Sequence, residues 1–500
     1  MGDKVRDVQA GFAGGLNITS DPALMRPDQA RQMVNYRLDS TGKLTKRGGT
    51  QSVSLPSFIG TGVGKYLFYI GQGLNGGAVY AIYGNSTCSF ASLTYTNPNS
   101  TSWTQYTGTT AYPPVGLIAE FTAGAGNPCY YFASTNAGGL LHKAVPSGTT
   151  LAMVAATARC DGVTVYNNRL WGWYGNSLYY SAIDNGDTLG IAASSGGQII
   201  VSTYGVRNIK ECRQVGSSLL IWLDKGITRL TGFGQDDISV SPQGITRQIG
   251  LGNCGATHRL VSVVGNVAYF VSPQGLYTAT EDSVEPVDRP DHPDPLRQYT
   301  AAQLAASQMS YNEKTSELQI FLSGVGVYNY HTILQAWSGP FTGQYVSSAL
   351  SFAAWVPLTD ASGNYVMTFC SAETSGAIYV TDTTTIKDGI AAAGTGGSAY
   401  TATAQCHRMY GGDMSYSKAW RWIIVNASTL DSAAPPTAVA YAVNGGSSTM
   451  TFNAPITAQF DYYLGPSGVG PYLDVTISDG GVSASTISAV TVEGFFLGQR

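Results

Sequence analysis

The sequence predicts an all-β protein with a β-propeller-like body, an N-terminal extended or helical segment, and a small β-sandwich insertion near the C-terminus. The first observation is composition: of 500 residues, 61 are glycine, 31 are tyrosine and only 12% are charged. Typical soluble domains carry about 25% charged residues, so little of this chain can form exposed charged helix. The second observation is a pattern of short apolar or aromatic runs separated by Gly, Asn, Ser and Asp turns. Short strands at such close spacing favour a sandwich, a barrel or a propeller.

Residues 1–50 form an N-terminal segment, which we interpret as a docking segment. A helix is predicted over residues 27–34, because Pro27 suits the first helical position and Ala30 and Met33 share one helical face. The segment carries eight Lys or Arg and five Asp or Glu, whereas the rest of the chain carries 19 and 26. A basic segment therefore precedes an acidic body. Two interpretations stay open, a solvated loop and a surface that docks an anionic partner.

Residues 51–390 are predicted to form propeller blades, because one hairpin pattern recurs along them. Each hairpin joins an apolar strand, a polar turn that ends in Gly or Asn, and a strand that carries Tyr. The hairpins cover residues 163–181, 219–230, 266–278, 318–337 and 365–380. Their spacing is close to the roughly 40–50 residues of a four-stranded blade, which cannot bury both of its faces alone. The alternative is a set of unrelated hairpins in two sandwiches.

Five aromatic residues of these hairpins are predicted to fill the cores of the blades: Trp171, Tyr179, Trp222, Tyr277 and Trp337. The other use for 31 Tyr and 8 Trp is stacking of exposed rings on glycans. Packing is the favoured interpretation, because the tyrosines lie mainly at strand positions.

The C-terminal part of the chain differs in composition. Residues 391–397 resemble a linker, and residues 391–485 are predicted to form an inserted or appended β-sandwich-like domain. Within it, residues 420–425 and 438–443 are predicted strands, with a turn at 444–446. Residues 486–500 are apolar enough to return to the propeller as a closing strand, which would remove an exposed edge. A second helix is predicted at 301–307, after a proline-rich break at 288–295.

The sequence lacks the motifs of catalysis and metal binding, so we expect no enzyme activity, no cofactor and no metal site. The seven cysteines are odd in number, widely spaced and without a CxxC pair, which argues against a zinc site or a disulfide framework. The glycines at 60–64 have the wrong spacing for a phosphate loop, and the five histidines form no HExxH motif. Glycoside hydrolysis needs two facing carboxylates, whereas the acidic residues here are few and isolated.

Net charge and hydropathy exclude two further classes. A net charge of −4 argues against the strongly basic surface of a sequence-specific DNA-binding protein. The mean hydropathy is zero, and no apolar run approaches the ~18 residues that a membrane-spanning helix needs. The first residues are not followed by the apolar stretch of a secretory signal, so we expect none.

Several short motifs carry a resemblance to a known family. They are Gly14–Asn17, Asp21–Pro22, Asn35–Tyr36, Gly42–Gly49, Asn168–Trp171, Leu178–Ser181, Gly275–Tyr277 and Ala336–Ser338. Together they resemble the tail nozzle proteins of short-tailed phages, also called packaged-DNA stabilisation or tail tubular B-type proteins. The resemblance is scattered over residues 14–380, and residues 393–490 match no motif of the family.

The resemblance implies a structural protein of the virion tail, assembled in the host cytoplasm. Such a protein forms a hexameric ring at the distal end of the tail, retains the packaged DNA and conducts it during ejection. The implied partners are the portal–adaptor complex, tail fibres or spikes, and double-stranded DNA in transient, non-specific contact. An acidic body suits a conduit, because each neutralised phosphate would add affinity. Docking to the adaptor is then expected from Arg26, Arg31, Arg37, Lys43, Lys46 and Arg47.

Two other classes of protein remain as alternatives. A receptor- or glycan-binding propeller of the tail, with or without depolymerase activity, predicts glycan binding or hydrolysis by the isolated chain. A secreted propeller lectin predicts an export signal, which the sequence lacks.

Overall fold

The computed structural model confirms the all-β class: strands make up 60% of the chain, and the residues that it describes contain one α-helix. The structure describes residues 3–497 except 54–65, 71–77, 84–87, 98–99, 111–113, 123–127, 135–139, 148–149, 192–193, 202–207, 233–244, 251–260, 347–354, 360–364, 371–377, 383–386, 391–395, 429–437, 444–445, 452–458, 465–467 and 481–484.

The N-terminal segment consists of strands that belong to several sheets. They are β1 (Lys4–Gln9), β2 (Gly15–Leu16), β3 (Gln29–Val34), β4 (Tyr36–Leu38), β5 (Leu44–Lys46) and β6 (Gly49–Ser52). The helix predicted at 27–34 is therefore wrong, since β3 occupies these residues. The register of β3 shifts between Ala30 and Gln32. This irregularity lets Ala30 and Met33, three residues apart, both be fully buried in an extended chain.

The middle of the chain forms short antiparallel meanders, which we number in chain order. Meander 1 is β7 (Tyr66–Ile70), β8 (Ala78–Tyr83), β9 (Cys88–Asn97) and β10 (Ser100–Thr110); meander 2 is β11 (Pro114–Thr122), β12 (Pro128–Ser134), β13 (Leu140–Ser147) and β14 (Thr150–Arg159). Meander 3 is β15 (Gly162–Tyr166), β16 (Arg169–Tyr174), β17 (Ser177–Tyr180) and β18 (Gly197–Ile200); meander 4 is β19 (Ile209–Val215), β20 (Ser218–Leu223), β21 (Ile227–Leu230) and β22 (Ile245–Gly250).

Meanders 5 to 7 follow. Meander 5 is β23 (Val261–Val264), β24 (Val267–Ser272), β25 (Gly275–Ala279) and β26 (Val284–Pro286); meander 6 is β27 (Gln308–Asn312), β28 (Glu317–Leu322), β29 (Gly326–His331) and β30 (Ala336–Phe341); meander 7 begins with β31 (Trp355–Thr359), β32 (Tyr365–Cys370) and β33 (Ile378–Asp382). The five hairpins predicted from the sequence are confirmed, and they lie in meanders 3 to 7.

The first strands of the meanders contact one another in a cycle. β7 contacts β11, and the contacts continue through β15, β19, β23, β27 and β31, which in turn contacts β7. The fourth strand of meander 7 is β6, which pairs antiparallel with β33 from Gly49 opposite Asp382 to Ser52 opposite Tyr379. A strand from the end of the N-terminal segment is therefore the fourth strand of the last sheet of the cycle, and two further strands, from residues 387–390 and 396–399, follow it in the same sheet.

Hydrophobic clusters lie between consecutive meanders. They include Tyr131 with Leu170 between meanders 2 and 3, Trp171 with Ile221 between meanders 3 and 4, and Trp222 with Phe270 between meanders 4 and 5. Meanders 2 to 5 thus bury apolar side chains against their neighbours in sequence.

The helix predicted at 301–307 is confirmed as α1 (Ala301–Ala305), between meanders 5 and 6. The Thr300 side chain accepts a hydrogen bond from the backbone N–H of Gln303, and the Gln303 side chain accepts one from the backbone N–H of Thr300. This reciprocal capping defines the start of the helix.

The remaining strands lie in the C-terminal part of the chain. They are β34 (Lys387–Ile390), β35 (Gly396–Ala399), β36 (Ala402–Cys406), β37 (Lys418–Ser428), β38 (Ala438–Val443), β39 (Gly446–Thr451), β40 (Gln459–Tyr463), β41 (Val469–Gly470), β42 (Leu473–Asp479) and β43 (Thr486–Phe496). Of these, β34 and β35 extend the sheet of meander 7 beyond β6, and the others help to build a second structural unit. Strands are thus present at the predicted positions 420–425 and 438–443. Residues 444–445 of the predicted turn and 391–395 of the predicted linker lie outside the described residues.

Two sheets pack face to face in this unit, which we call the two-sheet body. One sheet has the order β4-β5-β43-β37-β40, with β1 also paired to β43. The other extends meander 6 through β3, β36, β42, β38 and β39. Their shared core includes Met33, Ala404, Ile423, Val475 and Val490. Strands from both ends of the chain build it.

The closing strand predicted at 486–500 is wrong in its destination. β43 pairs with β1, β5 and β37, not with a meander. The physical reason is that Ile487, Val490 and Val492 are buried in the core of the two-sheet body. The strand that completes the cycle is β6 instead.

Candidate functional site

The six basic residues assigned to docking do not form one exposed patch; they are Arg26, Arg31, Arg37, Lys43, Lys46 and Arg47. Lys43 is exposed, and the Arg26 side chain is 45% exposed. The side chains of Lys46 and Arg47 are only 0% and 2% exposed. The docking role is therefore corrected for Lys46 and Arg47, because a partner cannot reach buried side chains in this fold.

Five of the six pair with carboxylates from distant parts of the same chain. The pairs are Arg26–Asp291, Arg31–Asp474, Arg37–Glu317, Lys46–Asp479 and Arg47–Asp388, with N–O distances of 3.6, 3.3, 3.5, 3.7 and 2.6 Å. The basic segment thus binds acidic groups of its own body. This pairing gives a structural reason for the opposite net charges of the two parts of the sequence.

Arg47 makes the most extensive of these contacts. Its Nη1 and Nη2 donate to Oδ1 and Oδ2 of Asp388 at 2.8 and 2.6 Å, and its Nε donates to Oδ1 of Asn35 at 3.0 Å. The rings of Tyr400 and Tyr345 lie against the guanidinium, with centroids 3.7 and 4.9 Å away. This two-point pair joins the link between β5 and β6 to β34.

A cavity of about 470 Å³ lies beside this ion pair. One face of it is formed by β28 and β29, where Glu317 lies opposite His331 and Gln319 lies opposite Asn329. All four side chains are buried. Alternate residues of β28, such as Leu318, belong to the hydrophobic core instead. The period of two therefore gives this hairpin one apolar face and one polar face.

The rest of the cavity comes from neighbouring segments. Arg37 lines it from the N-terminal segment, and Phe341 and Tyr345 add apolar surface. At the mouth lie Lys314, which is exposed, and Ile333, which is 72% exposed. The cavity is thus open to solvent on one side and polar at its base.

The charged groups at the base are arranged in a compensated way. The Nε atom of Arg37 lies 3.5 Å from Oε1 of Glu317. Burial lowers the pKa of His331, and the charge of Glu317 opposes that shift. The Nδ1 atom of His331 accepts a hydrogen bond from the backbone N–H of Leu334 at 3.2 Å. A neutral imidazole that accepts at Nδ1 carries its proton on Nε2, so His331 offers a donor there.

Several polar atoms of the cavity are buried without a hydrogen-bond partner in the protein. They are both side-chain atoms of the Asn329 amide and Oγ1 of Thr315; Nε of Arg37 and Oε1 of Glu317 also make no hydrogen bond but face each other as the ion pair described above. More than about nine in ten buried polar groups in folded proteins are hydrogen-bonded. Unused donors and acceptors at the base of an open cavity can therefore bind a polar molecule.

Glu317, Asn329 and His331 are not among the site residues predicted from the sequence. The signal that could have found them is the alternation within the predicted hairpin. Polar residues at 317, 319, 329 and 331 interrupt a pattern that is otherwise apolar or aromatic. A strand pair buried on both faces has no general need for polar side chains on one of them.

The five predicted core aromatics lie in or beside hydrophobic clusters. Trp171 and Trp222 are 0% exposed, and Trp337 is 1% exposed. Tyr179 and Tyr277 are half-buried and pack against the clusters between meanders 2 and 3 and between meanders 4 and 5. None of the five lines the cavity described above.

A buried carboxylate, Asp294, lies between meanders 5 and 6. It accepts hydrogen bonds from the backbone N–H groups of Leu276 at 2.6 Å and Leu296 at 2.8 Å. A Cβ atom at Gly275, where φ is +117°, would lie 2.3 Å from Oδ2 of Asp294, so this close approach requires glycine. Burial raises the pKa of Asp294 to about 7, and the charge of Asp288 adds to the shift.

We expect the protein to lose stability as Asp294 ionises. The pKa of Asp294 is about 7 in the folded protein, above its ordinary value of 3.8. The contribution of Asp294 to stability is therefore fully present below pH 3.8 and is lost as the pH rises through 7. The change between pH 5 and pH 8 should be on the order of 2 kcal/mol. Thermal unfolding of the wild type and of Asp294→Asn at both pH values tests this.

Asp294→Asn keeps the other titrating groups of the wild type, so comparing the two proteins isolates the effect of Asp294. Burial lowers the pKa of His142 and of His331, so these residues change the stability in the opposite direction. Asp294→Asn should therefore show a smaller loss of stability, or a gain, between pH 5 and pH 8. Identical pH slopes in the two proteins would contradict the prediction.

Comparison with known proteins identifies no family for the chain. No protein-family model and no curated protein matches it. Among solved structures, the extracellular domain of a putative hybrid two-component system from B. thetaiotaomicron is similar at a TM-score of 0.38 and 10% identity. The match covers 68% of this chain and 41% of that one. Among the described residues, no helix is long and apolar enough to cross a membrane.

Proposed function

We propose that the seven meanders are the blades of a β-propeller and that the two-sheet body is a β-sandwich attached to it. The cycle of contacts between first strands supports this proposal, since radial blades place those strands around a common axis. The completion of meander 7 by β6 supports it further. Such a closure joins a strand from one chain end to the last blade and leaves no open sheet in the ring.

We infer that the protein is a structural component of a short-tailed phage, the subunit of its tail nozzle. The observation that carries this proposal is the pairing of β6, from the end of the N-terminal segment, with β33 of meander 7, which ties the proposed ring to the two-sheet body. A subunit whose proposed ring and two-sheet body are joined by shared strands suits an assembly under mechanical load. The nozzle-like motifs also lie in strands of the proposed blades, in β16 and β17 of meander 3, in β25 of meander 5 and in β30 of meander 6.

In this proposal six subunits form a ring below the portal–adaptor complex, with tail fibres or spikes as further partners. The DNA passes through the ring in non-specific contact. Because four cations of the N-terminal segment are at least partly buried in ion pairs, docking to the adaptor falls to Arg26 and Lys43, which are the more accessible ones. The proposed location is the tail of the virion.

Negative-stain imaging of the full-length protein, alone and mixed with the portal–adaptor complex, tests the assignment. We expect six-fold rings with a central channel at the tail end of the complex. Protein that stays monomeric and never joins the complex would overturn the assignment. The double variant Arg26→Glu/Lys43→Glu should attach less and melt like the wild type, whereas normal attachment of this variant would remove these two residues from the interface.

A further inference from the structure

The structure assigns a binding site for a small neutral polyhydroxylated molecule, such as one sugar unit, to the cavity between β28–β29 and the N-terminal segment. This inference does not depend on the nozzle proposal. It rests on Asn329, whose side chain is 1% exposed, lines the cavity, and leaves both amide atoms without a partner in the protein.

Buried polar atoms without a hydrogen-bond partner reduce the stability of the unliganded protein. A buried polar group without a partner costs about 1–3 kcal/mol of desolvation. Here the amide of Asn329 and Oγ1 of Thr315 are in this condition, whereas Nε of Arg37 and Oε1 of Glu317 face each other as an ion pair at 3.5 Å. Their concentration in one cavity means that a molecule bound there would regain several hydrogen bonds at once.

The cavity is lined by both hydrogen-bond donors and hydrogen-bond acceptors. Arg37 and His331 supply donors, Glu317 supplies an acceptor, and the Asn329 amide supplies both. A hydroxyl group donates one hydrogen bond and accepts up to two, so neighbouring hydroxyls can satisfy a mixed set of this kind. A phosphate at neutral pH is mainly an acceptor and would face the carboxylate of Glu317.

Most of the charged side chains around the cavity are paired with groups of opposite charge. Arg37 faces Glu317 at 3.5 Å, and Arg47 is paired with Asp388 at 2.6 Å. The mouth carries one further residue of each sign, Lys314 and Asp39. Because the lining charges compensate one another, the site favours a neutral ligand over an anion or a cation.

The size and shape of the cavity fit a small ring. A cavity of about 470 Å³ accommodates a ring of the size of a monosaccharide. The side chains of Phe341 and Tyr345 supply apolar surface for the C–H groups of such a ring. Polar atoms at one side and aromatic surface at another match the two kinds of surface that a sugar presents.

Saturation-transfer NMR and equilibrium dialysis on the full-length protein test the site. The probes are D-glucose, D-galactose, D-mannose and N-acetyl-D-glucosamine, with inorganic phosphate and glucuronate as charged comparisons. We expect saturable binding of at least one neutral sugar, with a Kd on the order of 1 mM. Failure of all four neutral sugars to bind, or tighter binding of either charged probe, would overturn the inference.

Substitutions then locate the binding. Asn329→Leu removes both unpaired amide atoms at similar size and should weaken sugar binding at least about tenfold. Gln198→Leu, an amide replacement on the exposed side of β18 in meander 3, is the matched control and should bind normally. If Asn329→Leu does not fold, Asn329→Asp replaces it, and the added negative charge should also weaken binding. Unchanged binding by a folded Asn329 variant would overturn the site.

Discussion

Replacing Arg47 by methionine should destabilise the protein by about 3–5 kcal/mol, because it removes the positive charge that faces the buried carboxylate of Asp388. Asp388 receives two hydrogen bonds from Arg47, at 2.8 and 2.6 Å, and its side chain is only 6% exposed. The same substitution also removes the group held between Tyr345 and Tyr400. Equilibrium unfolding in urea measures the loss. Arg47→Lys should recover little of it, since an ammonium cannot make the two-point contact.

A double-mutant cycle separates the ion pair from the rest. Arg47→Met combined with Asp388→Leu removes both charges and should lie closer to the wild type than Arg47→Met alone. Arg26→Met is the matched control from the same segment, since its exposed ion pairs should contribute no more than about 1 kcal/mol. A loss below about 1 kcal/mol for Arg47→Met would show that the buried pair does not hold β34 in place.

Replacing Trp222 by alanine should cost about 3–5 kcal/mol, because it opens a large cavity between meanders 4 and 5. Trp222 is 0% exposed, and its ring meets that of Phe270 edge-on at a centroid distance of 5.8 Å. The loss should lower the thermal unfolding temperature of the full-length protein. It should also increase the exposure of meanders 4 and 5 to hydrogen exchange more than that of meander 7.

Trp222→Phe is the informative control. The indole N–H of Trp222 has no hydrogen-bond partner in the protein, so phenylalanine gives up aromatic volume but no hydrogen bond. We therefore expect a loss well below that of alanine. Equal losses for the two variants would contradict the prediction, because the aromatic volume that phenylalanine keeps would then contribute nothing to stability at this position.

Much of the fold could be predicted because its signals are local. The hairpin of β24 and β25 is an apolar run, a turn and a second run, and Gly275 at the end of that turn has a φ of +117°. Such a conformation is favourable for glycine alone, so the sequence marks the turn directly. The capped helix after Thr300 is marked in the same way.

The helix predicted at 27–34 shows where local signals fail. Ala30 and Met33 are three residues apart, which fits one face of a helix. In the structure a register shift within β3 brings both into the same core. No local pattern shows that strands from the far end of the chain will pair with this segment and override its helical spacing.

The candidate site was less accessible to prediction than the fold. Arg47 and Asp388 are 341 residues apart in the sequence, and Arg37 and Glu317 are also brought together only by the tertiary fold. The charge asymmetry between the first 50 residues and the rest indicated that opposite charges would meet. It does not indicate that they meet within one molecule, so the sequence alone leaves docking to an outside partner open.

The pairing of β1 with β43 affects how the chain can be made. Lys4 pairs with Phe495, so β1 leaves the ribosome long before β43, the strand with which it pairs, has been made. β6 likewise leaves the ribosome before β33, the strand with which it pairs, has been made. During synthesis these edges stay unsatisfied, and contacts of such long sequence separation form slowly. Newly made chains are therefore vulnerable to aggregation, and chaperones that shield unpaired strands during translation should raise the yield of native protein.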